Sequence, residues 1–223
     1  MSILPGLGGL LVPKIIPPGF VGGIQTDWLS ANSQSLLMDY PVGCQIGDLI
    51  IAMASCGSAA GISFPGQFVG LVPGITGTSQ WKMAWGTYQG GATFNVSFSL
   101  STPARWGWAL AFRGQGSNPF ISTNFNESAA PTVSAPLMGV SEKPGLLLNV
   151  AFDYDNNSTA DLVASITPAG YVLLYSVAVG LYHWVLVYAM QPAPGTQNVA
   201  GCSFQKSSLP QVVASSIYLR GKP

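Results

Sequence analysis

The single histidine, His183, is the first residue to test for chemistry, and it lies between Tyr182 and Trp184 inside a long apolar run. A catalytic or metal-bound imidazole needs polar partners nearby, and no Gly-x-Ser-x-Gly elbow supplies a nucleophile for it. His183 therefore reads as a packed or hydrogen-bonded histidine rather than a triad member. A glycosidase would need two carboxylates at a defined separation. The chain has only 8 Asp and Glu, and although Asp153, Asp155 and Asp161 lie close in sequence, closeness alone does not make an acid and base pair. The reading is accordingly non-enzymatic, with hydrolysis the least favoured alternative. The same segment, DYDNNSTAD, places oxygen side chains at Asp153, Asp155, Asn157, Thr159 and Asp161, the alternation a calcium loop uses. An EF-hand glycine is replaced by Ser158 and the closing glutamate by Ala164. Calcium held by Asp153, Asp155, Asn157 and Asp161 thus stands beside a plainer reading, a solvated hairpin or Asx-turn loop. No other cofactor is indicated.

Aromatic residues form a second candidate set. In extended chain Trp81, Met83 and Trp85 share one strand face, and Trp106 and Trp108 share another, because side chains alternate. Exposed indoles stack on sugar rings, whereas buried ones fill a core or a subunit interface. Both readings of Trp81, Trp85, Trp106 and Trp108 stand at the level of sequence. The cysteines, Cys44, Cys56 and Cys202, are odd in number and contain no Cys-x-x-Cys, so they read as small buried thiols.

Composition narrows the classes further. Only 7% of the 223 residues are charged, 8 basic against 8 acidic, and 48% are hydrophobic. An ordinary soluble domain carries about a quarter charged residues. A chain so neutral has no cluster of cations for phosphates, which excludes non-specific nucleic-acid binding. The N-terminus lacks the basic leading region of a secretory signal and is broken by Pro5, Pro13, Pro17 and Pro18. The run from Tyr171 to Met190 imitates a membrane span, but it is dense in Val, Tyr and Trp, contains Gly180 and has no flanking Lys or Arg. It is predicted as two strands joined near Ala178 to Leu181, with no membrane span.

The elements that must position these residues are strands. Residues 1–40 show neither strand nor helix periodicity and are read as an extended N-terminal assembly arm, with Pro5, Leu10, Pro13, Ile16, Pro17 and Phe20 as its contact residues. Residues 41–223 alternate short apolar runs with Gly, Pro, Ser, Thr and Asn clusters, the pattern of an all-β sandwich. Predicted strands lie near 48–55, 67–73, 79–88, 93–100 and 105–113, and again near 145–153, 170–177, 181–190, 196–203 and 211–220. The two sets correspond in order. Phe64-Pro65-Gly66-Gln67-Phe68 answers Thr167-Pro168-Ala169-Gly170-Tyr171, and Arg113-Gly114 answers Arg220-Gly221, so the chain reads as a duplication with halves of about 43–114 and 144–221. One two-sheet sandwich shared by both halves, best fitted by a jelly roll, would bury the apolar faces economically.

Gly47-Asp48-Leu49, the Phe64 to Phe68 turn, Ala104-Arg105-Trp106 and Phe112-Arg113-Gly114 together resemble small duplicated β-sandwich proteins of tailed-bacteriophage virions. In that family the turn ends in Gly-Trp and the last strand in Tyr-Arg-Gly, where this chain has Gln67-Phe68 and Phe112. The resemblance implies a virion location and a role as a tail-fibre, baseplate or head-surface component (decoration or spike). It also implies a homo-oligomer, with a trimer favoured, bound to other virion proteins. The alternative is a lectin-like module recognising a cell-surface glycan. Low charge supports assembly independently, because interface cores are depleted of charged residues. With residues 1–40 removed, the sandwich is expected to fold but not to join its assembly.

Overall fold

The structure, a computed structural model, describes residues 19–28, 32–57, 60–76, 79–102, 105–128, 132–140, 144–153, 162–179, 183–206 and 212–221. The elements of the first half are β1 (Gly19–Trp28), β2 (Ser33–Asp39), β3 (Leu49–Cys56), β4 (Ile62–Ser63), β5 (Phe68–Thr76), β6 (Ser79–Thr87), β7 (Thr93–Thr102) and β8 (Arg105–Arg113). Those of the second are β9 (Gln115–Ser128), β10 (Thr132–Ser134), β11 (Gly145–Asp153), β12 (Leu162–Ile166), β13 (Val172–Val179), β14 (His183–Met190), β15 (Ser203–Lys206) and β16 (Val212–Gly221). The chain is all-β, as its turn-punctuated apolar runs predict.

The sheet orders are β1-β8-β3-β6-β5 and β2-β7-β4 in the first half, and β9-β16-β11-β14-β13 and β10-β15-β12 in the second. Adding eight to each strand number of the first half gives the second, so the duplication extends to topology. Within each half the first strand lies beside the last, the second beside the seventh and the third beside the sixth, all antiparallel, which is the winding of a jelly roll. Local chemistry repeats as well. The Phe68 amide donates to the Pro65 carbonyl at 2.9 Å and the Tyr171 amide to that of Pro168 at 3.4 Å, closing the same turn in both halves.

The sandwich differs from the sequence expectation in its number of layers. Each half forms its own pair of sheets, and the two five-stranded sheets stack face to face. The sequence reason is that the central strands are apolar on both faces: every residue of β3 and of β11 is buried. Such strands need cover on two sides. Ile50, Ala52 and Ala54 point into a core shared with β2 and β7, while Leu49, Ile51 and Met53 point into a core shared with the second half. In the second half Leu147 and Ala151 face β10, β12 and β15, while Leu148, Val150 and Phe152 face the first half.

The arm also needs correction. Residues 19–28 pair with β8 from Gly19↔Arg113 to Trp28↔Arg105, and β2 pairs with β7 while burying Leu36 and Met38. Both strands belong to the first jelly roll, so the halves begin earlier than expected, at residue 19 and at residue 115. Their periodicity is hidden because β1 is an edge strand carrying Gly19, Gly22 and Gly23. Of the arm contacts, Phe20 packs against Phe112 and Tyr175 with ring centroids 5.6 and 6.3 Å apart. Pro5, Leu10, Pro13, Ile16 and Pro17 lie outside the described residues. The membrane-like run is a hairpin of β13 and β14 closing at Val179↔His183. Among the described residues no helix is long and apolar enough to cross a membrane.

Two outcomes follow from this packing. Deleting residues 1–40 removes β1 and β2 and uncovers Ile50, Ala52, Ala109 and Ala111, so that variant should lose its cooperative unfolding transition, whereas deletion of 1–18 should keep it, as checked by circular dichroism during thermal melting. Phe152→Ala should destabilise by about 3–5 kcal/mol in denaturant titration, because its ring packs against three tryptophans of the other half.

Candidate functional site

The tryptophans, which sequence left open between a sugar platform and core or interface packing, lie in the interior. Trp81, Trp106 and Trp108 are 1%, 1% and 0% exposed. They surround Phe152 at centroid separations of 5.3, 6.2 and 5.9 Å, in edge-on arrangements of the kind aromatic quadrupoles favour. Trp85 is half-buried at the margin of the same core. The predicted sharing of faces holds, since Trp81, Met83, Trp106 and Trp108 all project into one core, but the face is the seam between the two halves of one chain. An indole with no exposed face cannot receive a sugar, which removes Trp81, Trp106 and Trp108 as glycan contacts.

Asp153, the first residue of the calcium candidate, ends β11 fully buried, and its Oδ2 accepts from the Lys206 ammonium. A lysine nitrogen thus stands at this carboxylate. Asp155, Asn157 and Asp161 lie outside the described residues, as does the His183 side chain. Among the described residues no three His, Cys, Asp or Glu side chains gather as a metal group. Burial pushes the Cys202 thiol up to about 12, and burial and then the Asp48 charge raise that of Cys44, so neither is poised as a thiolate at neutral pH.

A cleft of about 470 Å³ opens at the seam, where the edge strand β1 crosses β13. Phe20, Leu146, Val172, Leu174, Ala189 and Met190 line it, and Gly19 forms part of its wall. The close approach of the two edges requires Gly23, since a Cβ there would come within 2.8 Å of the Tyr175 ring. The Tyr175 hydroxyl donates to Gln25 Oε1 at 3.4 Å across the same seam. The lining has no titratable group, so the cleft is suited to an apolar side chain and not to acid–base chemistry. Sequence reading missed it because its walls come from both halves.

Two polar centres also escaped the sequence reading. Asn149 lies mid-strand in an apolar run, which was a usable signal, because a polar group in a buried strand must find partners. Its Nδ2 donates to Ser216 Oγ at 3.0 Å, its Oδ1 accepts from the Cys202 amide at 2.8 Å, and Ser216 Oγ donates to the Pro136 carbonyl at 2.7 Å. This network ties the loops before β11 and before β15 to the sheet. The second centre joins the Gly-Asp and Arg-Gly motifs. Arg113 Nε donates to Asp48 Oδ1 at 2.9 Å, its Nη2 to Asp48 Oδ2 at 2.8 Å and to the Gly43 carbonyl at 2.9 Å. The Gln45 amide adds a bond to Oδ2 at 2.7 Å.

Burial of Asp48 opposes its ionisation, but the Arg113 hydrogen bonds, the Gln45 amide and the Arg113 charge outweigh it and hold the carboxyl below its usual value. A depressed folded-state pKa stabilises the fold above the unfolded-state value and loses that effect as pH falls through the folded-state value. Asp48→Asn should therefore lower the melting temperature most at neutral pH, with the gap from wild type closing as the buffer is acidified below the ordinary carboxylate range. A gap independent of pH would contradict the role assigned to the ion pair. No family model, curated protein or solved structure matches the chain.

Proposed function

We propose that this protein is a non-enzymatic structural subunit of a bacteriophage virion, in a tail-fibre, baseplate or head-surface position. One observation carries the reading: a four-layer body with very little charge to keep its surface in water. Asp48, Arg105, Asp153 and Lys206 are buried, so fewer still of the 16 charged residues remain outside. Aliphatic side chains stand where charges would be expected, including Val42 at 87% and Ile46 at 80% exposure, with Leu137, Ile166 and Val172 also exposed. Surfaces of this kind suit burial against neighbouring subunits, as in obligate interfaces.

Residues 1–18 join the body at Gly19, on the wall of the apolar seam cleft. They contain Ile3, Leu4, Leu7, Leu10, Leu11, Val12, Ile15 and Ile16 but a single charge, Lys14. In the proposed assembly these residues serve as an assembly arm and the apolar cleft faces a neighbouring copy, the subunits forming a homo-oligomer, with a trimer favoured.

The test is native mass spectrometry of the purified chain together with its co-sedimentation with phage particles. Wild type should give a discrete oligomer and appear in particles at fixed stoichiometry. Deletion of residues 1–18, and separately Val172→Asp, should shift the mass to monomer while leaving the circular dichroism spectrum unchanged. A wild-type monomer absent from particles would overturn the proposal.

A further inference from the structure

We propose that Lys206 and Asp153 condense into an intramolecular isopeptide bond that covalently joins the two sheets of the second jelly roll. Both side chains are 0% exposed, and the Lys206 Nζ donates directly to Asp153 Oδ2. Asp153 ends β11 in the five-stranded sheet, and Lys206 ends β15 in the three-stranded sheet. Their cross-strand neighbours, Val212 and Leu162, are aliphatic and buried. A nucleophile and an electrophile are thus held in contact in a site from which water is excluded.

The condensation needs the amine and the carboxylic acid, which one proton passing from Nζ to Oδ2 along their hydrogen bond supplies. Those are the reactive forms. The nitrogen lone pair forms a bond to Asp153 Cγ, the Cγ–OH bond breaks, and the hydroxyl takes a proton from nitrogen and leaves as water. One amide and one water replace one ammonium and one carboxylate, with nothing oxidised or reduced and no co-reactant. Fixed contact replaces a bimolecular encounter, a factor that reaches about 10⁵–10⁸ M in effective concentration for well-oriented groups. Exclusion of water then protects the amide from hydrolysis.

The first jelly roll serves as an internal comparison. Cys56 ends β3 where Asp153 ends β11, and Phe98 stands opposite Ile62 where Lys206 stands opposite Leu162. Cys56 and Phe98 are both buried. The architecture therefore closes this corner with apolar side chains in one copy, and packing does not call for an ion pair in the other. A bond between the sheets gives the pair a role: it closes a loop of 53 residues and resists mechanical separation of β11 from β15.

Intact mass spectrometry of the folded full-length chain tests this directly. The expected mass is that of the sequence less one water, and proteolysis should release a branched peptide containing both Asp153 and Lys206. Lys206→Met, which fills similar volume without a nucleophile, should restore the full mass and melt at lower temperature. Should that variant fail to fold, Asp153→Asn provides a second arm: it should lose ammonia and give a product with the wild-type cross-linked mass. Folded wild type at full mass with only linear peptides overturns the proposal, as does a water loss that persists in Lys206→Met.

Discussion

The burial of the two five-stranded sheets against each other is the constraint on which the rest of this molecule depends. Each jelly roll closes one face of its large sheet with a three-stranded sheet, and the other face is apolar and would be exposed in isolation. Leu49, Ile51, Met53, Leu110 and Phe112 meet Leu146, Leu148, Val150, Val187 and Leu219 across the seam. Phe152 inserted among Trp81, Trp106 and Trp108 fixes the register of one sheet on the other. Large rigid rings suit this place, because they bury much area while losing few rotamers. The duplication is thus a structural necessity, since each copy supplies the cover the other lacks.

The ion pairs of Asp48 with Arg113 and of Asp153 with Lys206 lie at strand ends, and there the two copies have diverged. Asp48 and Arg113 clamp the start of β3 to the end of β8, whereas Gly145 stands opposite Arg220 in the second copy. At the other end of the central strand the second copy holds Asp153 and Lys206, where the first has Cys56 and Phe98. Most core positions that meet across the seam are apolar in both copies, with Ser215, whose hydroxyl meets Met83 Sδ at 3.8 Å, as a polar exception. Polar residues stand where a partner can be reached, at strand ends for the ion pairs and mid-strand for Asn149, because an unpaired charge within the seam would cost more than the fold's small net stability allows.

The strands were legible wherever a central strand supplied a long apolar run, and the hairpin of β13 and β14 was placed within two residues of its position. Residues 19–39 were not legible as strands. Edge strand β1 carries glycines in place of a hydrophobic face, and β2 alternates over only a few residues, so neither shows a period against the Pro-rich segment before them. The candidate residues were harder still. Trp81, Trp106 and Trp108 have the same spacing whether their face meets sugar, another subunit or the second half of the chain, and periodicity reports only that they share a face. Asp153 looked like the first residue of a loop because Asp155, Asn157, Thr159 and Asp161 follow it at alternate positions, yet it is the last residue of a buried strand.

The sequence by itself determined the all-β class, the duplication, the poverty of charge and the absence of a helical membrane span across residues 171–190, because each of these is carried by local composition and by repeated order along the chain. Tertiary structure decided which faces meet: four layers instead of two, the indoles of Trp81, Trp106 and Trp108 inside, Asp48 against Arg113 and Asp153 against Lys206. The physical reason is that alternation tells a strand it has two faces, whereas burial and pairing depend on what the distant half of the chain brings to each of them.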